Sequence, residues 1–331
     1  MKINSIASIR YNITQQKKGP SPNNLERIPN SDWVSFTGKH KRESEDVIQA
    51  TTFGTQLYKS ILDKNTSFSA VKEKLQSFSP DVAVRPMQEL KDAKTENYRA
   101  FSISNLKENF TMGDKEIFLK LPTNIDDETA KLLFAMEAGH EYTHIKQGEN
   151  PQVCDTIKQI SNGNYEYAKI IMGVGELLFQ PFDNRLQHNT IMHTFNVVDK
   201  ANLYKYGEIV PRALNVGEGT VFKGLNVKDK KQFEELMNYA FAQAFNEAVK
   251  GGLLTNKQIV ENLPIEKQGI EFYKDLRKYC ALMAKHEAEA YTTESRIFKK
   301  VINTNSNLNI DVRPIYYNML ADCFKKDNGL N

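Results

Sequence analysis

The chain has 331 residues, 44 Lys and Arg against 41 Asp and Glu, a net charge of +3, and 40% hydrophobic residues. That length can bury a large core in one or two domains, and no apolar run approaches the roughly 20 residues of a membrane span, so no transmembrane helix is expected. Residues 1–45 carry 8 Lys or Arg and 4 Asp or Glu, leaving the remainder near −1, so the folded part shows no basic excess that would suggest nucleic acid as a partner.

In chain order, residues 1–44 read as a disordered segment rich in Asn, Ser, Gln, Lys and Pro. Its one apolar island is Trp33 to Phe36, and its Lys39–Arg42 cluster reads as a solvated tail. A helix is expected over Glu45–Asp63, with Val47, Ala50 or Thr51, Leu57 and Ile61 inward, and a shorter one over Ser69–Phe78. Three strands follow: Val82–Glu89, Arg99–Asn105 and Glu116–Leu121. Met112-Gly113-Asp114 is expected to turn between the last two. In the third strand Ile117, Leu119 and Leu121 alternate against Glu116, Phe118 and Lys120.

A helix then starts near Asn124 or Asp126, either of which can cap it. It runs through Leu133, Met136, His140 and His144 as one stripe. Beyond it, helices are expected near Pro151–Phe179, Asp183–Val198, Lys228–Lys250 and Thr255–Asn262. A loop with no chemistry lies at Gly217–Gly224. One long helix spans about Glu266–Val301, burying Leu276, Tyr279 or Cys280, Met283, Glu287, Ala290, Glu294 and Ile297. A terminal helix, Arg313–Lys325, buries Ile315, Tyr316, Leu320 and Phe324. The fold class is therefore α+β and predominantly helical: residues 45–331 form one domain, with a small antiparallel sheet and a helical insert over 148–264. Cys154, Cys280 and Cys323 lack metal spacing and read as free thiols. The N-terminus has no signal-peptide core, so the expected location is cytoplasmic, or exported by another route.

The chemistry lies in His140-Glu-Tyr-Thr-His144, an H-E-x-x-H pattern in a chain of only 6 histidines. On a helix, positions i and i+4 share a face, so the two imidazoles can point at one metal. Glu141 can then reach a water on that metal as general base. A catalytic zinc usually takes a third protein ligand. Gln147 and Asn150 stand where the metzincin extension needs Gly and His, which excludes that class. Glu166 lies near the thermolysin-like spacing, although Ile170 occupies the usual Asp position. Glu287 is the other candidate. A carboxylate on the buried stripe of the late helix costs several kcal/mol unless it meets a cation. Glu294, two turns on, can hydrogen-bond a ligand histidine, while Glu289 points off the stripe as a solvated charge.

His140-Glu-Tyr-Thr-His144 followed by Glu287-Ala-Glu-Ala290 resembles the gluzincin metallopeptidases. The likeness is to the group with E-x-x-A-D or E-x-x-A-N on a late helix, which includes the CaaX-processing and HtpX-like peptidases and their small soluble relatives. The resemblance covers about residues 80–147 and 265–300. It implies a zincin-like sheet packed on the motif helix, Zn2+ as cofactor, Glu287 as third ligand, Ala290 as a point of close helix approach, and a peptide or protein substrate. Tyr291 stands where the group has Asp or Asn. A donor to the developing oxyanion is also expected, from His188, His193, Tyr291 or His286. The function expected is a zinc metalloendopeptidase. The alternatives are a zinc-binding protein without peptidase activity, or an interaction protein working through the helical insert.

Overall fold

The computed structural model describes residues 44–61, 66–89, 100–121, 128–200, 230–254, 269–301 and 313–326. The expectations for residues 1–43, the 217–224 loop and the Thr255–Asn262 helix lie outside the described residues.

Helix α1 (Glu45–Ile61) has Glu45 and Asp46 in its first turn and Lys59 in its last, both matched to the helix dipole. It buries Val47, Ala50, Phe53 and Leu57. In α2 (Phe68–Phe78) the Ser67 hydroxyl accepts from the Ala70 amide, capping the helix, and Val71 and Leu75 are buried.

The sheet contains β1 (Ala83–Pro86), β2 (Ala100–Leu106) and β3 (Met112–Leu119), in the order β1-β3-β2. β2 pairs antiparallel with β3, but β1 pairs parallel with it, so the sheet is mixed rather than antiparallel. Alternation of apolar residues marks a strand but carries neither direction nor partner. A parallel neighbour requires the chain to return to its starting end, and the 3-10 turn Met87–Glu89 begins that departure from β1. The β2–β3 turn also sits earlier than expected. The Lys107 amide donates to the Thr111 carbonyl, and Phe110 turns with φ 58°. Gly113 and Asp114 lie inside β3, where the register shifts between Ile103 and Asn105 and Asp114 has φ 49°. The Gly-Asp pair thus marks a β-bulge, which uses the same left-handed backbone as a turn.

Both sheet faces are covered. Ile117, Leu119, Val84 and Ala100 join α1, α2 and Phe134, Ala138, Tyr142 and Ile145 of α3 (Glu128–Glu149) in one core. Phe118, expected to alternate outward, joins Met87, Phe101 and Ile103 on the opposite face. The centre of α3 is buried all round, since His140, Glu141, Tyr142 and Thr143 are each 4% exposed or less.

The second core gathers α4 (Pro151–Ile160), α5 (Tyr165–Lys200), α6 (Lys230–Lys250), α7 (Ile270–Val301) and α8 (Arg313–Lys325). The expected single helix Pro151–Phe179 is two. Asn162 and Gly163 adopt φ 53° and 71° after α4, and the Asn164 side chain accepts from the Tyr167 amide to start α5. Conversely, the break expected after Phe179 is absent: α5 runs through Pro181. Phe179 and Phe182, flanking it, pack on Tyr317, Phe233 and Phe324, and this packing offsets the hydrogen bond the proline cannot make. In α8 Tyr317, Leu320, Ala321 and Phe324 are buried, while the side chains of Ile315 and Tyr316 lie outside the described residues.

Helix α7 borders both cores. Arg277 on it donates to Glu234 of α6 and to the carbonyls of Cys323, Phe324 and Lys326, satisfying the C-terminal end of α8. Cys154, Cys280 and Cys323 form no disulfide among the described residues. No helix among the described residues is long and apolar enough to cross a membrane.

Candidate metal centre

Helices α3 and α7 cross where both are narrow. A Cβ on Gly139 would meet Ile297 Cδ1 at 2.3 Å, and the Thr143 and Thr293 hydroxyls lie 2.9 Å apart across the contact. This approach sets His140 and His144 of α3 against Glu287 of α7, as one cluster of potential ligand atoms.

His140 Nε2 and His144 Nε2 are 3.2 Å apart. His140 Nε2 lies 3.5 Å from Glu287 Oε2, and His144 Nε2 lies 3.4 Å from Glu287 Oε1. A tetrahedral zinc with bonds of ~2.0–2.1 Å separates its ligand atoms by about 3.3 Å. Each distance is close to that spacing, with the two histidines facing different oxygens of Glu287, whereas an N–H···O hydrogen bond would draw the carboxylate in to ~2.9 Å. Both Glu287 carboxylate oxygens are buried without a hydrogen bond, so the residues present fit a divalent cation.

The surrounding hydrogen bonds aim the histidines. Gln147 Nε2 donates to the His286 carbonyl at 3.1 Å and to Glu289 at 2.9 Å, which turns Gln147 Oε1 toward His144 Nδ1 at 2.9 Å. With a cation in the cluster, His144 would carry its proton on Nδ1 and turn the Nε2 lone pair inward. His140 Nδ1 lies 2.8 Å from Glu294 Oε1, an ion-pair contact without hydrogen-bond alignment, and this leaves Nε2 on the cluster side. Burial works against the His140 imidazolium, but Glu287 and Glu294 outweigh it and hold its pKa up at about 10. His144 is raised against the same burial, by the charge of Glu287. Burial alone would raise the Glu287 carboxyl, yet the two histidines hold it below the carboxylate range. The carboxylates thus take protons on the imidazoles as counter-charge, and a metal would compete for the same nitrogens.

Glu141 projects from α3 toward β2. Its Oε2 accepts from the Ser102 amide at 3.1 Å and the Ser102 hydroxyl at 2.7 Å. Tyr291 stacks on Tyr317 (5.3 Å, 9°), and its ring packs edge-on against His140 (4.7 Å). Ala290 is fully buried. His286 lines a cavity beside His144 and Glu287, where burial and the neighbouring His144 press its pKa down to about 3, so its imidazole is neutral.

Other expected site residues lie elsewhere. Glu166 is exposed and paired with Lys169 at 2.7 Å, away from the cluster. Glu289 is not the solvated charge expected: it is partly buried and accepts from Gln147. His188 and His193 belong to the end of α5, whose side chains lie outside the described residues. Sequence reasoning did not assign roles to Ser102 and Gln147. Gln147 is one turn after His144, so helical spacing alone could have found it. The Ser102 contact joins residues 39 positions apart and leaves no local signal.

No protein-family model, curated protein or solved structure matches the chain.

Proposed function

We propose that this chain is a zinc-dependent metallopeptidase, with His140, His144 and Glu287 holding the ion and Glu141 as general base. The proposal extends to the gluzincin group that the motifs resemble and to its zincin-like arrangement of sheet and motif helix. The observation that carries it is the convergence of His140, His144 and Glu287, whose potential ligand atoms all lie within 4.8 Å of one another, with Glu141 fixed alongside. When bound, zinc would acidify a water and polarise a carbonyl.

The protein's own groups supply the rest. Gln147 and Glu294 keep both Nε2 lone pairs inward. Ser102 holds the Glu141 carboxylate in place to take a proton from the water and hand it to the leaving amine. β2 is an edge strand carrying Ser102, so an extended peptide laid along it comes within reach of Glu141.

The test is the purified protein's metal content and its hydrolysis of casein. Stoichiometric zinc and casein cleavage are expected. Glu141→Gln should keep the zinc and lose hydrolysis by at least about a hundredfold. An active Glu141→Gln enzyme would overturn the mechanism.

A further inference from the structure

The cavity beside the cluster has an apolar wall of Met112, Val153, Ile157, Met172 and Leu282, and His144 and Glu287 stand on its border. Ser104, Gln147, Tyr279 and His286 line it as well, and so does one carboxyl group besides Glu287. Glu176 of α5 lines the same space, and no Lys or Arg does. Among the described residues its carboxyl makes no hydrogen bond or ion pair; the residue is partly buried, and that burial raises its pKa. The placement is rigid. A Cβ on the adjacent Gly175 would meet the Tyr279 ring at 2.3 Å, and Cys280 Sγ contacts the Gly175 carbonyl at 3.6 Å, so α5 is seated directly on α7.

A partly buried carboxyl beside an apolar wall is disfavoured as the anion, and a cation delivered with its own apolar stem relieves that. Lysine and arginine side chains have that shape. Their methylenes would cover the methionine and aliphatic wall, and the head would pair with Glu176 through charge-assisted hydrogen bonds. We propose that this cavity is the subsite for a side chain flanking the scissile bond, and that Glu176 selects a basic one. An apolar side chain of equal length would cover Glu176 and leave it unpaired, and an acidic one would bring it no cation. The proposal rests on the peptidase reading above, and its test separates the two.

Zinc-loaded Glu141→Gln protein is titrated calorimetrically with blocked Gly/Ala peptides that differ at one position: lysine, norleucine, glutamine or glutamate. The lysine peptide should bind at least about tenfold more tightly than the norleucine peptide, and Glu176→Gln in the same background should erase that difference. Equal or tighter binding of norleucine, or a lysine preference that survives Glu176→Gln, overturns the proposal. Should Glu176→Gln fail to fold, the lysine-to-norleucine comparison decides alone. A Glu176-dependent lysine preference in a protein that cleaves nothing would leave the subsite standing and remove the peptidase. Casein cleavage without a lysine preference would do the reverse.

Discussion

Ser102 reaches Glu141 with two donors, and both arrive at Oε2. That leaves Oε1 free of Ser102, and in the proposed mechanism it is the oxygen that would take the proton. Ser102→Ala keeps the amide and removes the hydroxyl, so the expected result is a loss of about tenfold in kcat with zinc content unchanged. Unchanged kcat in a steady-state peptide assay would show that Ser102 does not position Glu141. Glu287 is the sharper test of metal binding. Its side chain is 1% exposed and meets both histidines, so Glu287→Ala should lower zinc affinity by at least about tenfold, read by competition with a chromophoric chelator. Glu166→Ala should leave it unchanged, because Glu166 is engaged only with Lys169 at the surface. The reverse pattern would reassign the third ligand.

Helices α1, α3 and α7 meet at two glycines and one isoleucine. A Cβ on Gly54 would lie 2.9 Å from the Ala135 carbonyl and 2.2 Å from Ile297 Cδ1. On Gly139 the nearest atom, at 2.3 Å, is again that flexible Cδ1, while the nearest backbone atom is the Ala50 carbonyl at 3.5 Å. Either Gly→Ala change adds about 1 kcal/mol of helix propensity. At Gly139 a shift of the Ile297 methyl can absorb the added methyl, so the net change should be near zero. At Gly54 a backbone carbonyl must move and α1 is pushed off α3, so a net loss of about 1–2 kcal/mol is expected. Urea denaturation of both variants measures the contrast, and equal midpoints would refute it.

At the scale of the whole molecule, acid unfolding should register the junction between the sheet and the end of α3. Glu149 pairs with Lys115 of β3 at 2.7 Å and with Lys146 one turn back. Burial opposes its ionised form, but the two lysines hold its pKa below the ordinary 4.5. A depressed carboxylate pKa adds stability above the unfolded value that fades as the pH falls below it. Glu149→Gln should therefore cost about 1 kcal/mol near neutral pH, and the gap to the parent should close below about pH 4. Thermal melts from pH 3 to 7 check this, and a gap that widens in acid would contradict it.

Most helices were legible because their buried stripes are long and regular, and α7 above all, whose stripe placed Glu287 and Glu294 facing inward together. Failures fell where one local signal serves two structures. Gly113-Asp114 makes a bulge with turn-like backbone, and Pro181 is overruled by aromatic packing on both sides. Strand direction in β1 and the roles of Ser102 and Glu176 depend on contacts between segments far apart in the chain, which no periodicity encodes.

α7 has a further consequence. The same uninterrupted helix clamps the end of α8 through Arg277, contributes Glu287 and Glu294 at its middle, and inserts Ile297 between α1 and α3. Anything that gripped Glu287 would therefore hold the two cores in register along a common spine. Ion occupancy would then govern the cohesion of the whole molecule as well as its chemistry.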